Sequence, residues 1–207
     1  MRQLFALLLV LAVAPFAHAA LIVTVGSTSL SPNGTGSVDV FVRSTGGDTL
    51  DLASLTFRIT PVSYPPGSSL VSFANPQSDS HFTSLGYLFA WDSAAAFFGP
   101  PASSVFTTTL ADDTYVGGDG TLSGLGVPVP TTDTLLARLD LVAGPGGASS
   151  FLITLDPSSS FNSPDFSPIA FSATPGVVST PEPVAVLVFG GLLTAGGWVV
   201  RRRATRG

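Results

Sequence analysis

The feature that most constrains this chain is the spacing of its apolar residues, which recur at every second position. In "SVDVFVR", Val38, Val40 and Val42 face one way while Asp39, Phe41 and Arg43 face the other. "LTFRIT" sets Leu55, Phe57 and Ile59 against Thr56, Arg58 and Thr60. "TLLARLDLVA" alternates Leu135, Ala137, Leu139 and Leu141 with Leu136, Arg138, Asp140 and Val142. "SFLITLD" alternates Phe151, Ile153 and Leu155 with Leu152 and Thr154. Successive side chains of a strand point to opposite faces, so a period of two calls for half-buried strands. Further strands are predicted at Leu21–Val25, Leu70–Phe73, Tyr87–Trp91, Val105–Leu110 and Ile169–Ser172, and no window of the body between the two ends sustains helical periodicity. Between the strands lie "SPNGTG", "STGGD", "PPGSS", "FGPPASS", "GGDG", "AGPGGASS" and "DPSSS". Gly there supplies positive φ and Pro fixes φ, so the chain turns. Many short strands separated by turns predict an all-β fold, a single antiparallel β-sandwich.

Such a sandwich must draw its stability from its core. The 207 residues contain no cysteine, so no disulfide staples the fold. Arg58 and Arg138 sit on the polar faces of the most regular strands, which leaves each strand an apolar side to bury. Burying about a dozen Leu, Val, Ile and Phe side chains at ~1.5–3 kcal/mol each is the scale that a domain of this size requires. From Ala20 to Thr180 there are twelve Asp, three Arg (Arg43, Arg58, Arg138) and no Lys or Glu. An acidic surface of this kind repels phosphate backbones and excludes nucleic acid as a partner.

The two ends follow other rules. "MRQLFALLLVLAVAPFAHAA" places Arg2 ahead of an apolar stretch, Leu4 to Val13, and then Ala17-His18-Ala19. That order describes a secretory signal peptide, with the small residues Ala17 and Ala19 marking a cut after Ala19. At the other end, residues 184–200 carry no charge and as a helix would span ~26 Å, the short limit for crossing a bilayer. Trp198 lies near its end, and Arg201, Arg202, Arg203 and Arg206 follow. Positive charge beside a span stays cytoplasmic, which leaves the body outside. Just before the span stands Pro181-Glu182-Pro183, with the only Glu of the chain, held extended by its prolines.

Pro-Glu-Pro, an apolar span and an arginine cluster, in that order at the terminus, resemble the PEP-CTERM sorting domain. The resemblance implies an exosortase partner in the membrane of a Gram-negative bacterium that makes extracellular polysaccharide. Pro181, Glu182 and Pro183 would be recognised and Arg201–Arg203 would stop transfer, before the tail is processed. The expected order is a signal peptide at 1–19, a sandwich at 20–178, the sorting motif at 179–183, a transmembrane helix at 184–200 and a basic cytoplasmic tail at 201–207. The body itself, through "GSVDVFV", "LDLASLTFRIT", "LLARLDLVA" and "SFLITLDPSSSFNSPDFSPIAFSATPGVV", is similar to cohesin-like domains. That similarity implies a jelly-roll of about nine strands, and residues 63–126 depart from it most.

Chemistry is sparse in the body. His81, in "SDSHFTS", is its only His. No G-x-S-x-G accompanies it, so it reads as a lone surface His rather than as a triad member with Asp79. The scattered Asp single out no carboxylate pair for glycoside hydrolysis, and catalytic zinc wants His or Cys ligands. Calcium is the cation that suits the composition best: "ADDTYVGGDGT" carries Asp112, Asp113 and Asp119, and "DPSSSFNSPD" carries Asp156, Asn162 and Asp165. Neither matches an EF-hand loop and Asp is a common turn former, so both read first as turns and no cofactor is expected. "GYLFAWDSAAAFFGPP" holds Tyr87, Phe89, Trp91, Phe97 and Phe98. Tyr87 and Trp91 could stack on sugar rings, although a core strand followed by an apolar loop suits the alternation better. Asn33-Gly34-Thr35 fits an N-glycosylation acceptor within a turn. Three readings follow: a non-enzymatic surface or extracellular biofilm-matrix protein sorted by an exosortase, a polysaccharide- or protein-binding module, and a small hydrolase.

Overall fold

The computed structural model describes residues 20–99 and 102–182. Ala17, Ala19, Pro183, the expected span 184–200 and Arg201, Arg202, Arg203 and Arg206 lie outside the described residues. No helix among the described residues is long and apolar enough to cross a membrane.

The described chain is built from strands: β1 (Leu21–Val25), β2 (Thr28–Ser29), β3 (Thr35–Ser44), β4 (Thr49–Leu50), β5 (Leu52–Ser63), β6 (Val71–Phe73) and β7 (Ser103–Phe106). They continue as β8 (Thr114–Gly120), β9 (Val127–Pro128), β10 (Thr134–Ala143), β11 (Ser149–Leu155), β12 (Ser160–Asn162), β13 (Phe171–Thr174) and β14 (Gly176–Thr180). Nine of these have four residues or more; the others are two- or three-residue ladders. One sheet has the order β13-β1-β3-β10-β6, and the other β2-β14-β11-β5-β8-β7 with β12 also on β5. A short β4–β9 ladder stands apart. The result is an all-β sandwich.

Side-chain alternation is what joins the layers. Val38, Val40 and Val42 of β3, Leu55, Phe57 and Ile59 of β5, and Phe151, Ile153 and Leu155 of β11 are all buried, as their spacing predicts. They meet Leu21 and Val23 of β1 and Leu139 and Leu141 of β10 in one cluster. Phe57 and Phe73 each pack a ring against Tyr115 at 5.9 Å, so aromatic contacts bridge the two sheets. On the outer faces Arg138 grips its cross-strand neighbour Asp39 at 2.6 and 3.0 Å, and Arg58 reaches Asp156.

Several expectations need correction. The sandwich is not wholly antiparallel: β1 runs parallel to β13, and β2 parallel to β14. Chain-terminal strands are free to pair this way because the whole domain serves as their connection. In β10 a bulge between Leu135 and Ala137 inserts one residue. Leu136 therefore joins the core cluster, while Leu135, itself buried, pairs with Phe41 outside that cluster. The segment Tyr87–Trp91 is not a strand but a run of turns, joined to β10 by a single bridge at Leu135. Val105–Leu110 shortens to Ser103–Phe106, because the chain beyond Phe106 folds around the Asp113 carboxylate. Strand β8 was not foreseen at all. At the end of the body, β14 runs to Thr180, two residues past the expected boundary at 178.

Candidate functional site

Strand β8 reads "TYVGGDG", and its glycines decide the shape of the surface above it. A side chain on Gly118 would run into the Ala53 carbonyl of β5, and one on Gly120 would come within 2.7 Å of the Asp51 carbonyl. The strand therefore lies close to β5 and presents a bare floor. Over this floor stands the short helix α1 (Ala94–Phe98). Between them is a groove of about 760 Å³, lined by Leu52, Ser54, Phe98, Ser104 and Val116 among others.

One carboxylate holds this arrangement. Asp119 is buried on β8, and one of its oxygens accepts from the Ala95 amide at 2.8 Å and the Gly120 amide at 2.7 Å. The other accepts from the Tyr87 hydroxyl at 2.6 Å and from the Ser93 hydroxyl. Ser93 in turn caps α1 by accepting from the Ala96 amide at 2.9 Å. A charged acceptor at the first turn satisfies amides that a helix cannot satisfy itself. Burial and the neighbouring Asp119 charge push the Tyr87 phenol far up, so it stays a donor.

Phe98, which lines the groove, belongs to an apolar segment open to solvent. Trp91 is 87% exposed, and Phe97 and Phe98 are 69% and 77% exposed. Asp92 ties this segment to the next loop, accepting from the Ser123 amide at 3.0 Å while its carbonyl takes the Leu122 amide at 2.7 Å. Leu122, held to Asp92 in this way, is also exposed.

The structure divides the expected ligand pair. Trp91 is exposed, whereas Tyr87 is buried with its hydroxyl on Asp119 and cannot stack on an external sugar. Asp112, Asp113 and Asp119 do not form a calcium cage. Asp113 accepts from the amides of Thr108, Thr109 and Leu110; burial raises its pKa, but these donors prevail and hold it well below the usual carboxylate range. Asp119 is occupied as described, and Asp156 and Asp165 likewise accept from Ser158 and Ser167 in their own turns. No group of three or more acidic or His side chains among the described residues could hold a metal ion. His81, expected on the surface, is buried beside Phe82 and Tyr87, with ring centroids 4.2 and 5.1 Å away. Pro181 and Glu182 are both exposed, directly after the buried Thr180.

Among solved structures, the chain is similar to the seventh ScaB type I cohesin from Pseudobacteroides cellulosolvens, with a TM-score of 0.53, 9% identity, and coverage of 79% of this chain and 94% of that one. It is similar to a type I cohesin–dockerin complex from Clostridium thermocellum at TM-score 0.51 and 16% identity, covering 79% and 95%. The third cohesin ScaC of Acetivibrio cellulolyticus, solved with the ScaB dockerin, matches at TM-score 0.51 and 14% identity, covering 78% and 99%. The chain thus has the fold of the cohesins, as its sequence resemblance implied. No family model matches it, and no curated protein matches its sequence.

Proposed function

We propose that this domain is a non-enzymatic, exported module that binds a protein partner through the groove between α1 and β8. The observation that carries this reading is the exposed apolar segment Trp91, Phe97 and Phe98, of which Phe98 lines the groove, clasped to β8 by the buried Asp119 through Ser93 and Ala95. The cohesin fold supports it, because two of the similar structures are complexes in which a cohesin is bound to a dockerin. The partner offers an apolar face, and it need not be a dockerin. Surface plasmon resonance on the immobilised body, with proteins secreted by the same cells as analytes, tests the reading. A partner that binds wild type should lose at least about tenfold in affinity to Trp91→Ala with Phe98→Ala, the scale of a hot-spot residue. Binding to a polysaccharide panel, with no protein bound, would favour a glycan-binding module instead.

A second reading concerns delivery and is favoured by the exposed Pro181 and Glu182 immediately beyond the last strand. In this reading an exosortase grips Pro181, Glu182 and Pro183 while the span 184–200 and Arg201, Arg202, Arg203 and Arg206 hold the precursor in the membrane. Processing then leaves the body in the envelope or extracellular matrix of a Gram-negative bacterium. Mass spectrometry of the mature C-terminus decides it: Glu182→Ala should leave the tail uncut, and unchanged processing would refute it.

A further inference from the structure

We infer that, in the membrane-held precursor, the pole of the sandwich formed by loops 31–34, 64–70 and 144–149 rests on the lipid headgroup layer. The inference depends on the second reading above, in which residues 184–200 span the bilayer.

The first support is the short reach of the chain. Thr180 is fixed: its hydroxyl lies 2.8 Å from the Ser149 hydroxyl and 3.2 Å from the Gly147 carbonyl, and donates to one of the two. The adjacent Ser179 carbonyl accepts from the Leu30 amide at 2.9 Å. Only Pro181, Glu182 and Pro183 separate this anchored strand from the apolar segment. Fully extended, the four steps from Thr180 to Val184 cover at most ~14 Å. The headgroup layer on one side of a bilayer is itself roughly 5–8 Å thick, so the end of β14 stands within about a side chain's length of it.

The second support is what surrounds the exit. The Gly147 amide bonds to the Gly67 carbonyl, the Ser69 amide to the Gly147 carbonyl, and the Asn33 amide to the Gly144 carbonyl, at 2.9, 2.9 and 3.1 Å. The Ser149 hydroxyl closes onto the Ser69 carbonyl at 2.6 Å. Three loops thus interlock into one surface around Thr180. Not one residue of these loops is charged, although the body carries twelve Asp and three Arg. Tyr64 is 42% exposed here, and Val62 at the end of β5 is 62% exposed; a half-exposed phenol suits the membrane interface. The aspartates would be repelled by anionic lipid at this range, whereas the uncharged pole is not.

The absence of cysteine from the chain allows a direct test. Full-length chain with Ala148→Cys, on this pole, or Thr132→Cys, just before the start of β10 at the other, is labelled with a fluorophore; both positions are exposed. Each is reconstituted into phosphatidylcholine vesicles with a minority of phosphatidylglycerol and headgroup-nitroxide lipid. The probe at position 148 should be quenched several-fold more than that at 132. Equal quenching in chains that co-float with the vesicles overturns the inference while leaving the anchor intact. Failure to co-float overturns the anchor, and the inference with it.

Discussion

His81 keeps its imidazole where neither protonation state is fully served. Its ring is buried against Phe82 and Tyr87, and Nδ1 has no hydrogen-bond partner. Burial lowers its pKa below the ordinary 6.5, and Asp79, Asp119 and Asp140 on one side and Arg138 on the other only modulate that. The folded state therefore binds fewer protons at this site than the unfolded chain does. Stability from this group is complete above the unfolded value and falls as pH drops from about 6.5 toward the folded pKa, by up to about 1.4 kcal/mol per pH unit. Asp113 and Asp156, both depressed below 3.8, begin to lose stability only in more acid solution. A melting series between pH 7 and 5 should thus slope downward in wild type and flatten in His81→Phe. A slope that survives the substitution would assign the effect elsewhere.

At the scale of elements, glycine decides where the groove lies. Gly118→Val drives a branched side chain against the Ala53 carbonyl, and overpacking of this kind costs about 1–3 kcal/mol. Thermal melting should drop by roughly 2–4 °C for each kcal/mol in a domain of this size. Ser54→Val, on the exposed face of the neighbouring β5, should melt like wild type. Strands β1, β3, β5 and β11 were legible because a period of two survives wherever one face is buried and the other wet. Strand β8 was hidden because three of its seven residues are glycines, with no side chain to alternate. The reverse error arose at Tyr87–Trp91. Tyr87 and Phe89 are indeed buried, but Tyr87 is held by Asp119 and Leu135 and Phe89 packs on Tyr87 in the core cluster while the backbone coils. Trp91 could be nominated from the sequence. The clasp of Asp119 with Ser93 and Tyr87 could not, since it joins residues 26 and 32 positions apart.

For the molecule as a whole, the register of the sheets sets two ends apart. Ser63 of β5 lies near Ser150 and Thr180, at the pole where the chain leaves. Leu52, at the other end of β5, pairs with Gly120 beside the groove. Ser63 and Leu52 are the two ends of a twelve-residue strand, ~36 Å apart at 3.3 Å per residue. If the span 184–200 tethers the body through β14, as proposed above, the groove at the other end of β5 is held away from the bilayer and free for a partner. Trp91 reports on this directly, since Trp198 is the only other tryptophan and can be silenced as Trp198→Phe. Acrylamide should quench Trp91 equally in the vesicle-bound chain and in the body released from its tail. Marked protection in the vesicles would mean that this segment faces lipid, and the groove would then be a membrane contact rather than a docking site.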